Sequence, residues 1–199
     1  MEIQYAYCTF SGDRKYNEDS VKAVETEKGY CFLVADGLGG HGGGEQASQM
    51  AAQVICRSWD SRADKDMLTG LIRKANEAVL AIQTPACAMK TTAVVLTVED
   101  NKAVWAHVGD SRLYHFYNGK LVFQTKDHSV AQMGVLLGDI TPDEIRFHPD
   151  RSRVLRALDR MESSRWMRRS VSWKKESMRS CSAQTGSGNT FWSRRWRPT

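Results

Sequence analysis

The stretch that most constrains the fold is an apolar run, Tyr30 to Ala35, which ends in Asp36 and leads into a turn with six glycines up to Gly44. The run predicts a buried strand, and apolar residues at helical spacing within 45–56 predict a helix after the turn. Glycine adopts positive φ and lets carbonyls and amides approach a metal ion or a phosphate closely. On glycine content alone, two interpretations have equal weight: a site for a charged ligand at Asp36, or a loop with a solvated aspartate.

The composition is that of an ordinary soluble protein. The chain has 199 residues, 41% of them hydrophobic and 26% charged, which predicts one domain with a substantial core. It has no apolar stretch near the ~20 residues that a membrane span needs, and its first residues lack the features of a signal peptide. The five cysteines are scattered and never form a C-x-x-C pair, which argues against a disulfide framework or a zinc site and for a reducing cytoplasm.

The net charge of +5 is unevenly distributed along the chain. Residues 161–199 hold nine Lys or Arg and two Asp or Glu, whereas residues 1–160 hold 19 and 21. The basic character therefore belongs to the last segment. Binding to nucleic acid or to a membrane surface would depend on that segment alone, and we expect neither partner.

The order of secondary-structure signals indicates the fold class. Strand patterns come first, then two patterns with a helical period, then strand patterns again. Glu27-Lys28-Gly29 indicates a hairpin between the second and third strands, and Asn118-Gly119 is a strong two-residue hairpin signal between the last two strands. This order predicts an α+β domain. The predicted strands are 5–10, 20–24, 30–35, 91–98, 102–108, 112–117 and 120–125, and the predicted helices are 44–58 and 64–83.

Three further motifs lie in a fixed order around Asp36. Arg14-Lys15-Tyr16-Asn17-Glu18-Asp19 precedes it, and Gly109-Asp110-Ser111-Arg112 and Thr125-Lys126-Asp127-His128-Ser129 follow it. Together the motifs resemble those of the metal-dependent serine/threonine protein phosphatases of the PP2C (PPM) family in their bacterial form, over about residues 1–160. The resemblance implies a four-layer α/β/β/α sandwich, with two antiparallel sheets flanked by helices. It also implies hydrolysis of phosphoserine and phosphothreonine by a metal-bridged water.

The resemblance implies a set of metal ligands. Asp36 would bridge two Mn²⁺ or Mg²⁺ ions, Gly37 would lend its carbonyl, and Asp19, with Glu18 beside it, would hold metal directly or through water. Asp110 matches the acid of a third, weaker site. Hard cations prefer such oxygen ligands. From the spacing alone, an exposed strand end is the favoured interpretation of Glu18-Asp19, and only the resemblance, with Arg14 five residues before Asp19, favours a metal ligand. Asp110 is equally a turn residue.

The resemblance also implies catalytic roles. Arg14 would grip the substrate phosphate, because a guanidinium matches two phosphate oxygens, and would act in catalysis together with Asp36. The general acid is left open between His41 and water. Asp127 is expected to be structural or adjacent to the substrate, and the remaining histidines are assigned no role.

The resemblance stops near Leu158. A complete family domain continues with further strands, a second Asp-Gly pair and a last metal-binding Asp, so we expect a domain that is incomplete at its C-terminal end (1–160), followed by a basic tail rich in Trp, Ser and Arg (161–199). The genetic code allows Ala183 to Gly186 to be written so that a shifted frame reads Thr-Asp-Gly, and we interpret the tail as a frameshift product. Uncovered strand edges and weakened metal binding would follow.

Two functions from different classes remain. The first is a cytoplasmic phosphatase acting on phosphoproteins, and the resemblance implies that it opposes a serine/threonine kinase. The second is a catalytically inactive, phosphoprotein-binding remnant of such an enzyme. The sequence does not name the substrate, the kinase or the oligomeric state.

Overall fold

A computed structural model describes residues 2–11, 16–38, 43–159, 167–172, 180–184 and 190–197. The strands are β1 Glu2–Cys8, β2 Asp19–Glu25, β3 Gly29–Leu38, β4 Lys90–Thr91, β5 Ala93–Glu99, β6 Lys102–Val108, β7 Arg112–Tyr117, β8 Lys120–Gln124, β9 Met167–Ser172, β10 Ser180–Gln184 and β11 Thr190–Arg197. The helices are α1 Gly43–Ser58, α2 Lys65–Ile82 and α3 Val130–Leu137, followed by a 3₁₀ helix, Pro142–Phe147.

The described strands form two antiparallel sheets. One has the order β1-β11-β10-β7-β8, and the other has the order β2-β3-β5-β6-β9, with β4 paired to β3. Helices α1 and α2 pack on the second sheet. The predicted α+β class, with two packed antiparallel sheets and flanking helices, is confirmed. None of the described helices has the length and apolarity that a membrane crossing requires.

Strand β3 explains why the central apolar run has no polar alternation. Leu33 packs into a core under α1 and α2, whereas Phe32 and Val34 pack into a second core between the two sheets. A strand with both faces covered reads as a continuous apolar run. Asp36 is therefore placed at the end of a strand whose interior is fixed by packing on both sides.

The predicted hairpins are present. β2 pairs with β3 in antiparallel register, and β7 is joined to β8 by Asn118 at φ 49° and Gly119 at φ 76°. Positive φ at both central residues is the backbone of a type I′ turn, for which Asn-Gly is the preferred pair. This hairpin positions Arg112 at the start of β7.

The strand predicted over 91–98 is interrupted, which corrects that prediction. Thr91, the last residue of β4, pairs with Gly37 of β3, and β5 begins only at Ala93. Between them, the Thr92 amide donates to the Asp36 carbonyl at 2.9 Å, and the Thr91 hydroxyl donates to the same oxygen at 3.1 Å. The register is the same on both sides of Thr92, but the Asp36 amide donates to Thr92 Oγ1 at 2.9 Å instead of to the Thr92 carbonyl, so one bond of the regular ladder is missing there.

The tail contributes backbone to both sheets. β9 pairs with β6, β10 lies between β7 and β11, and β11 pairs with β1. We expected uncovered edges at this end of the domain, and these four pairings cover the edges of β1, β6 and β7. The unpaired amides and carbonyls of an edge strand accept another strand through the backbone, which explains pairing by a segment that has no apolar period.

Candidate functional site

Two acidic residues face each other across the β2–β3 hairpin. Asp19 and Asp36 are direct partners in the antiparallel register, and side chains at opposed positions lie on the same face of the sheet about 5 Å apart at Cβ. Asp36 is only 5% exposed, and one carboxylate oxygen of each residue, Oδ1, is buried. The solvated-loop interpretation of Asp36 is therefore wrong. Two carboxylates held this closely repel one another, and a cation between them reduces that cost.

The glycine turn brings Glu18 to the same place. A Cβ added at Gly44 would lie 2.7 Å from Glu18 Oε1 and 2.8 Å from the Gly37 carbonyl carbon, and one at Gly37 would lie 2.2 Å from the Gly44 oxygen. No real side chain tolerates these distances, so only glycine permits the approach of the turn, the start of α1 and Glu18. The Gly37 amide donates to the Glu18 carbonyl at 3.1 Å, which fixes this arrangement.

A buried chain of hydrogen bonds connects Asp36 to the loop that carries Asp110. The Asp36 amide donates to Thr92 Oγ1 at 2.9 Å, and Thr92 Oγ1 lies 2.6 Å from Ser111 Oγ. Thr92 and Ser111 are both fully buried. Gly109, at φ 101°, packs so tightly that an added Cβ would lie 2.5 Å from Thr92 Cγ2. The Asp110 loop is thereby held against the strand end that bears Asp36.

The Asp110 carboxyl lies in a partly desolvated environment. Burial raises the pKa of Asp110 above its ordinary value, and the nearby charge of Asp127 adds to the rise, whereas a backbone hydrogen bond and the Arg112 charge oppose it. A carboxylate that is costly to ionise gains stability when a cation binds next to it. The partial burial of Asp110 is compatible with both interpretations, a metal ligand and a turn residue.

Arg112 and Asp127 form a two-pronged ion pair. Arg112 Nε donates to Asp127 Oδ1 at 2.7 Å, and Nη2 donates to Oδ2 at 2.6 Å. The Asp127 side chain is 7% exposed, and the pair raises the pKa of Arg112. Such a fork fixes geometry as well as charge. It ties the start of β7 to the segment after β8, in keeping with the structural role expected for Asp127.

His128, for which the sequence indicates no role, is a half-buried connector. Its Nδ1 accepts a hydrogen bond from the Gly109 amide at 3.1 Å, and its ring stacks on His107 with centroids 4.8 Å apart. Burial, together with the charges of His107 and Arg156, lowers the pKa of His128 to about 4. The ring is therefore neutral near pH 7 and acts as an acceptor beside the Asp110 loop.

The structure thus brings together Glu18, Asp19, Asp36 and Gly37, and it links Asp110 to them through Thr92 and Ser111. Arg14 and His41 lie outside the described residues, so their roles as phosphate ligand and general acid remain predictions. Among the residues that the structure describes, no group of three or more His, Cys, Asp or Glu side chains forms a metal cluster. The oxygen donors that do meet at the β2–β3 strand ends fit a hard cation such as Mn²⁺ or Mg²⁺ better than zinc.

The residues missed by sequence reasoning are Thr92, Ser111 and His128. Each is an ordinary polar residue in a strand or loop, and its partner is distant in sequence. Thr92 belongs to a Thr-Thr pair, which indicates no more than the β-propensity of an ordinary strand. Ser111 belongs to an Asp-Ser pair, which is an ordinary turn signal. The one available signal was the proximity of Ser111 and His128 to the two motifs around Asp110 and Asp127.

Comparison with known proteins places the chain in a family. The family model for protein phosphatase 2C matches residues 12–143. The serine/threonine protein phosphatase PstP of Mycobacterium tuberculosis is 36% identical over 151 residues, which cover 73% of this chain and 29% of PstP. The protein phosphatase PhpP of Streptococcus pneumoniae is 29% identical over 154 residues, which cover 73% of this chain and 63% of PhpP. The chain therefore spans less than two thirds of the length of these relatives.

Solved structures agree with this assignment. The crystal structure of M. tuberculosis PstP/Ppp superposes with a TM-score of 0.79 at 30% identity, and covers 91% of this chain and 77% of that one. A PstP catalytic domain in complex with two manganese ions superposes with a TM-score of 0.74 at 28% identity, and covers 91% of this chain and 75% of that one. From the family-model match, the relatives and the arrangement of acids at the strand ends, the chain belongs to the protein phosphatase 2C family.

Proposed function

We propose that this chain is a metal-dependent phosphoprotein phosphatase that hydrolyses phosphoserine and phosphothreonine, with Mn²⁺ or Mg²⁺ as cofactor. The observation that carries the proposal is the direct cross-strand pairing of Asp19 with the buried Asp36 beside Gly37. A related PstP catalytic domain has been solved in complex with two manganese ions, which supports manganese as the metal. When bound, divalent ions supply the charge that makes water a nucleophile and neutralises phosphoryl oxygens.

The residues of this chain would bind the metal ions, bind the phosphate and donate a proton. Asp36 and Asp19 would hold two ions together with the Gly37 carbonyl, and Asp110 would serve a third, weaker site. Arg14 would bind two phosphate oxygens in a fork and orient the phosphorus. Water adds to phosphorus, the bond from phosphorus to the serine or threonine oxygen breaks, and that oxygen takes a proton. His41 or water would donate the proton.

The test is manganese-dependent hydrolysis of a phosphoserine peptide and of p-nitrophenyl phosphate. Asp36→Asn keeps the shape of the side chain and removes its charge. Because loss of groups that merely support a metal ligand costs 10- to 100-fold, we expect loss of a ligand to lower activity by about 100-fold or more. The matched control is Glu77→Gln, an exposed charge on α2, which should leave the rate unchanged. Equal rates for the two variants would overturn the proposal.

The same samples test the alternative function. If the folded wild-type chain binds the phosphoserine peptide but does not hydrolyse it at saturating manganese, a phosphoprotein-binding protein without activity is the better description. In that case, Arg14→Ala should abolish peptide binding.

Further parts of the proposal concern the setting of the enzyme. Its substrates would be cytoplasmic phosphoproteins, and a serine/threonine kinase would supply them. The described cysteines, Cys8, Cys31, Cys56 and Cys87, are all free, which agrees with a reducing compartment.

The division of the chain at residue 160 also stands as a proposal. The family model matches no residue beyond 143, which agrees with a different origin for the tail. Reading the coding DNA in the shifted frame is the test. A shifted frame without an Asp-Gly segment opposite Ala183 to Gly186 would refute the frameshift.

A further inference from the structure

A wide cleft adjoins the Asp110 loop. Its volume is about 640 Å³, within the range of small-molecule sites, and it lies between the β7–β8 hairpin and the segment that contains the 3₁₀ helix. Asp110 lines the cleft and is one residue from Ser111, which is hydrogen-bonded through Thr92 to the Asp36 strand end. The cleft therefore adjoins the loop that is held against the candidate metal site.

The cleft has an excess of basic side chains. Arg112, Lys126, Arg146 and Arg151 all line it. Arg112 is neutralised by its ion pair with Asp127. The other three are exposed, and none of them forms an ion pair within the part of the chain that the structure describes. We call these three residues, Lys126, Arg146 and Arg151, the basic rim.

The acids in the cleft do not cancel the basic rim. Asp143 is exposed on the first turn of the 3₁₀ helix. Asp110 is the candidate ligand of a third cation, and that cation would neutralise it. With the site loaded, three cations thus face one carboxylate. A cleft with low-dielectric walls and charges of one sign concentrates ligands of the opposite sign.

We propose that the basic rim binds a second phosphate group on the same protein segment as the phosphoserine or phosphothreonine that is hydrolysed. The enzyme then prefers doubly phosphorylated segments to singly phosphorylated ones. Arg146 and Arg151 offer guanidinium forks that match phosphate oxygens, and Lys126 offers a point charge. This inference rests on the proposed function, because the first phosphate must lie at Asp36 for the second to reach the rim.

The experiment compares three peptides of one sequence: one phosphoserine, two phosphoserines spaced by three to five residues, and one phosphoserine with glutamate at the second position. Kinetics are measured for the wild type, for Lys126→Gln, for Arg146→Gln and for the control Lys120→Gln, which is exposed at the start of β8 and does not line the cleft. Binding is measured by fluorescence anisotropy at saturating manganese, with the same peptides carrying non-hydrolysable phosphonates in place of the phosphates.

The expected result is a lower KM for the doubly phosphorylated peptide in the wild type. Since exposed charge pairs contribute modestly, Lys126→Gln and Arg146→Gln should each raise that KM about three- to five-fold without changing kcat. The singly phosphorylated peptide and the Lys120→Gln control should be unaffected, and the preference should shrink as salt rises. If the peptide with glutamate at the second position has as low a KM as the doubly phosphorylated peptide, the basic rim binds a carboxylate equally well and its assignment to phosphate is wrong.

The two proposals fail in different ways. Normal hydrolysis of the singly phosphorylated peptide with no preference for the second phosphate overturns this inference and leaves the proposed function standing. A preference in binding that is lost in Arg146→Gln, without any hydrolysis, supports the basic rim and overturns the proposed function.

Discussion

Removing the Thr92 hydroxyl should loosen the end of β3 that carries Asp36. Thr92→Val keeps the shape of the side chain but takes away the oxygen that accepts from the Asp36 amide at 2.9 Å and meets Ser111 Oγ at 2.6 Å. Each buried polar group that loses its partner costs about 1–3 kcal/mol, so two such groups should lower the free energy of unfolding by about 2–6 kcal/mol. For a domain of this size, that corresponds to a fall in Tm of about 4–24 °C.

Two companion variants sharpen the test by thermal denaturation. Thr92→Ser keeps the hydroxyl and loses one methyl that packs on Gly109, at a cost of about 1 kcal/mol. Ser111→Ala removes one of the two bonds and leaves the Asp36 amide its acceptor, at a cost of about 1 kcal/mol. Manganese affinity, measured by calorimetry, should fall by about 10- to 100-fold in Thr92→Val, because the residues that hold a ligand in place share its role. If Thr92→Val melts at or above Thr92→Ser, the hydrogen-bonded chain does not stabilise the site.

Four other substitutions have effects whose direction follows from the structure. Gly44→Ala should weaken manganese binding in a calorimetric titration, since the added Cβ would lie 2.8 Å from the backbone of Gly37. The control Gly70→Ala has no atom within 4 Å of the added Cβ, so it should raise the free energy of unfolding by about 0.5–1 kcal/mol through helix propensity alone. Arg112→Lys loses the fork to Asp127 and should lower stability to urea by about 1–3 kcal/mol, and an unchanged urea midpoint would contradict this. The pKa of His128 is lowered from 6.5 to about 4, so between those values the unfolded chain binds the proton and the folded chain does not. Stability should therefore fall as pH drops through that window, and His128→Gln should reduce the slope of a plot of Tm against pH.

Much of the fold follows from signals that are local in sequence. Alternation, helical period and the Asn118-Gly119 pair involve residues that contact their near neighbours, so both hairpins and the first two helices lie within a few residues of their predicted bounds. The pairing of Asp19 with Asp36 also follows from a short hairpin. Once β2 and β3 are joined by a tight turn, the register is set by the turn and by the buried face of β3.

The rest depends on contacts that no local pattern records. The Thr92 and Ser111 hydroxyls meet across 19 residues of chain, and Arg112 reaches Asp127 across 15. A hydroxyl in a strand has the same propensity whether it faces solvent or a distant backbone amide, so its partner is decided by the tertiary fold. The tail strands are a further example. Their pairing is determined by the free edges of β1, β6 and β7, and those edges are hydrogen-bonding templates whatever the side-chain pattern of the added strand.

This difference explains which site residues the sequence could reveal. Asp36 ends an apolar run, lies opposite another acid and adjoins six glycines. The opposed acids cost stability because like charges across a hairpin repel, and the glycines cost stability because they raise the entropy of the unfolded chain. Such violations of the local rules for folding are expected where function requires them. Thr92 and Ser111 violate nothing, because their hydroxyls bond to each other inside the fold. The acids could therefore be predicted from the sequence because they depart from the local rules. The residues that hold them in place could not be predicted, because they follow those rules.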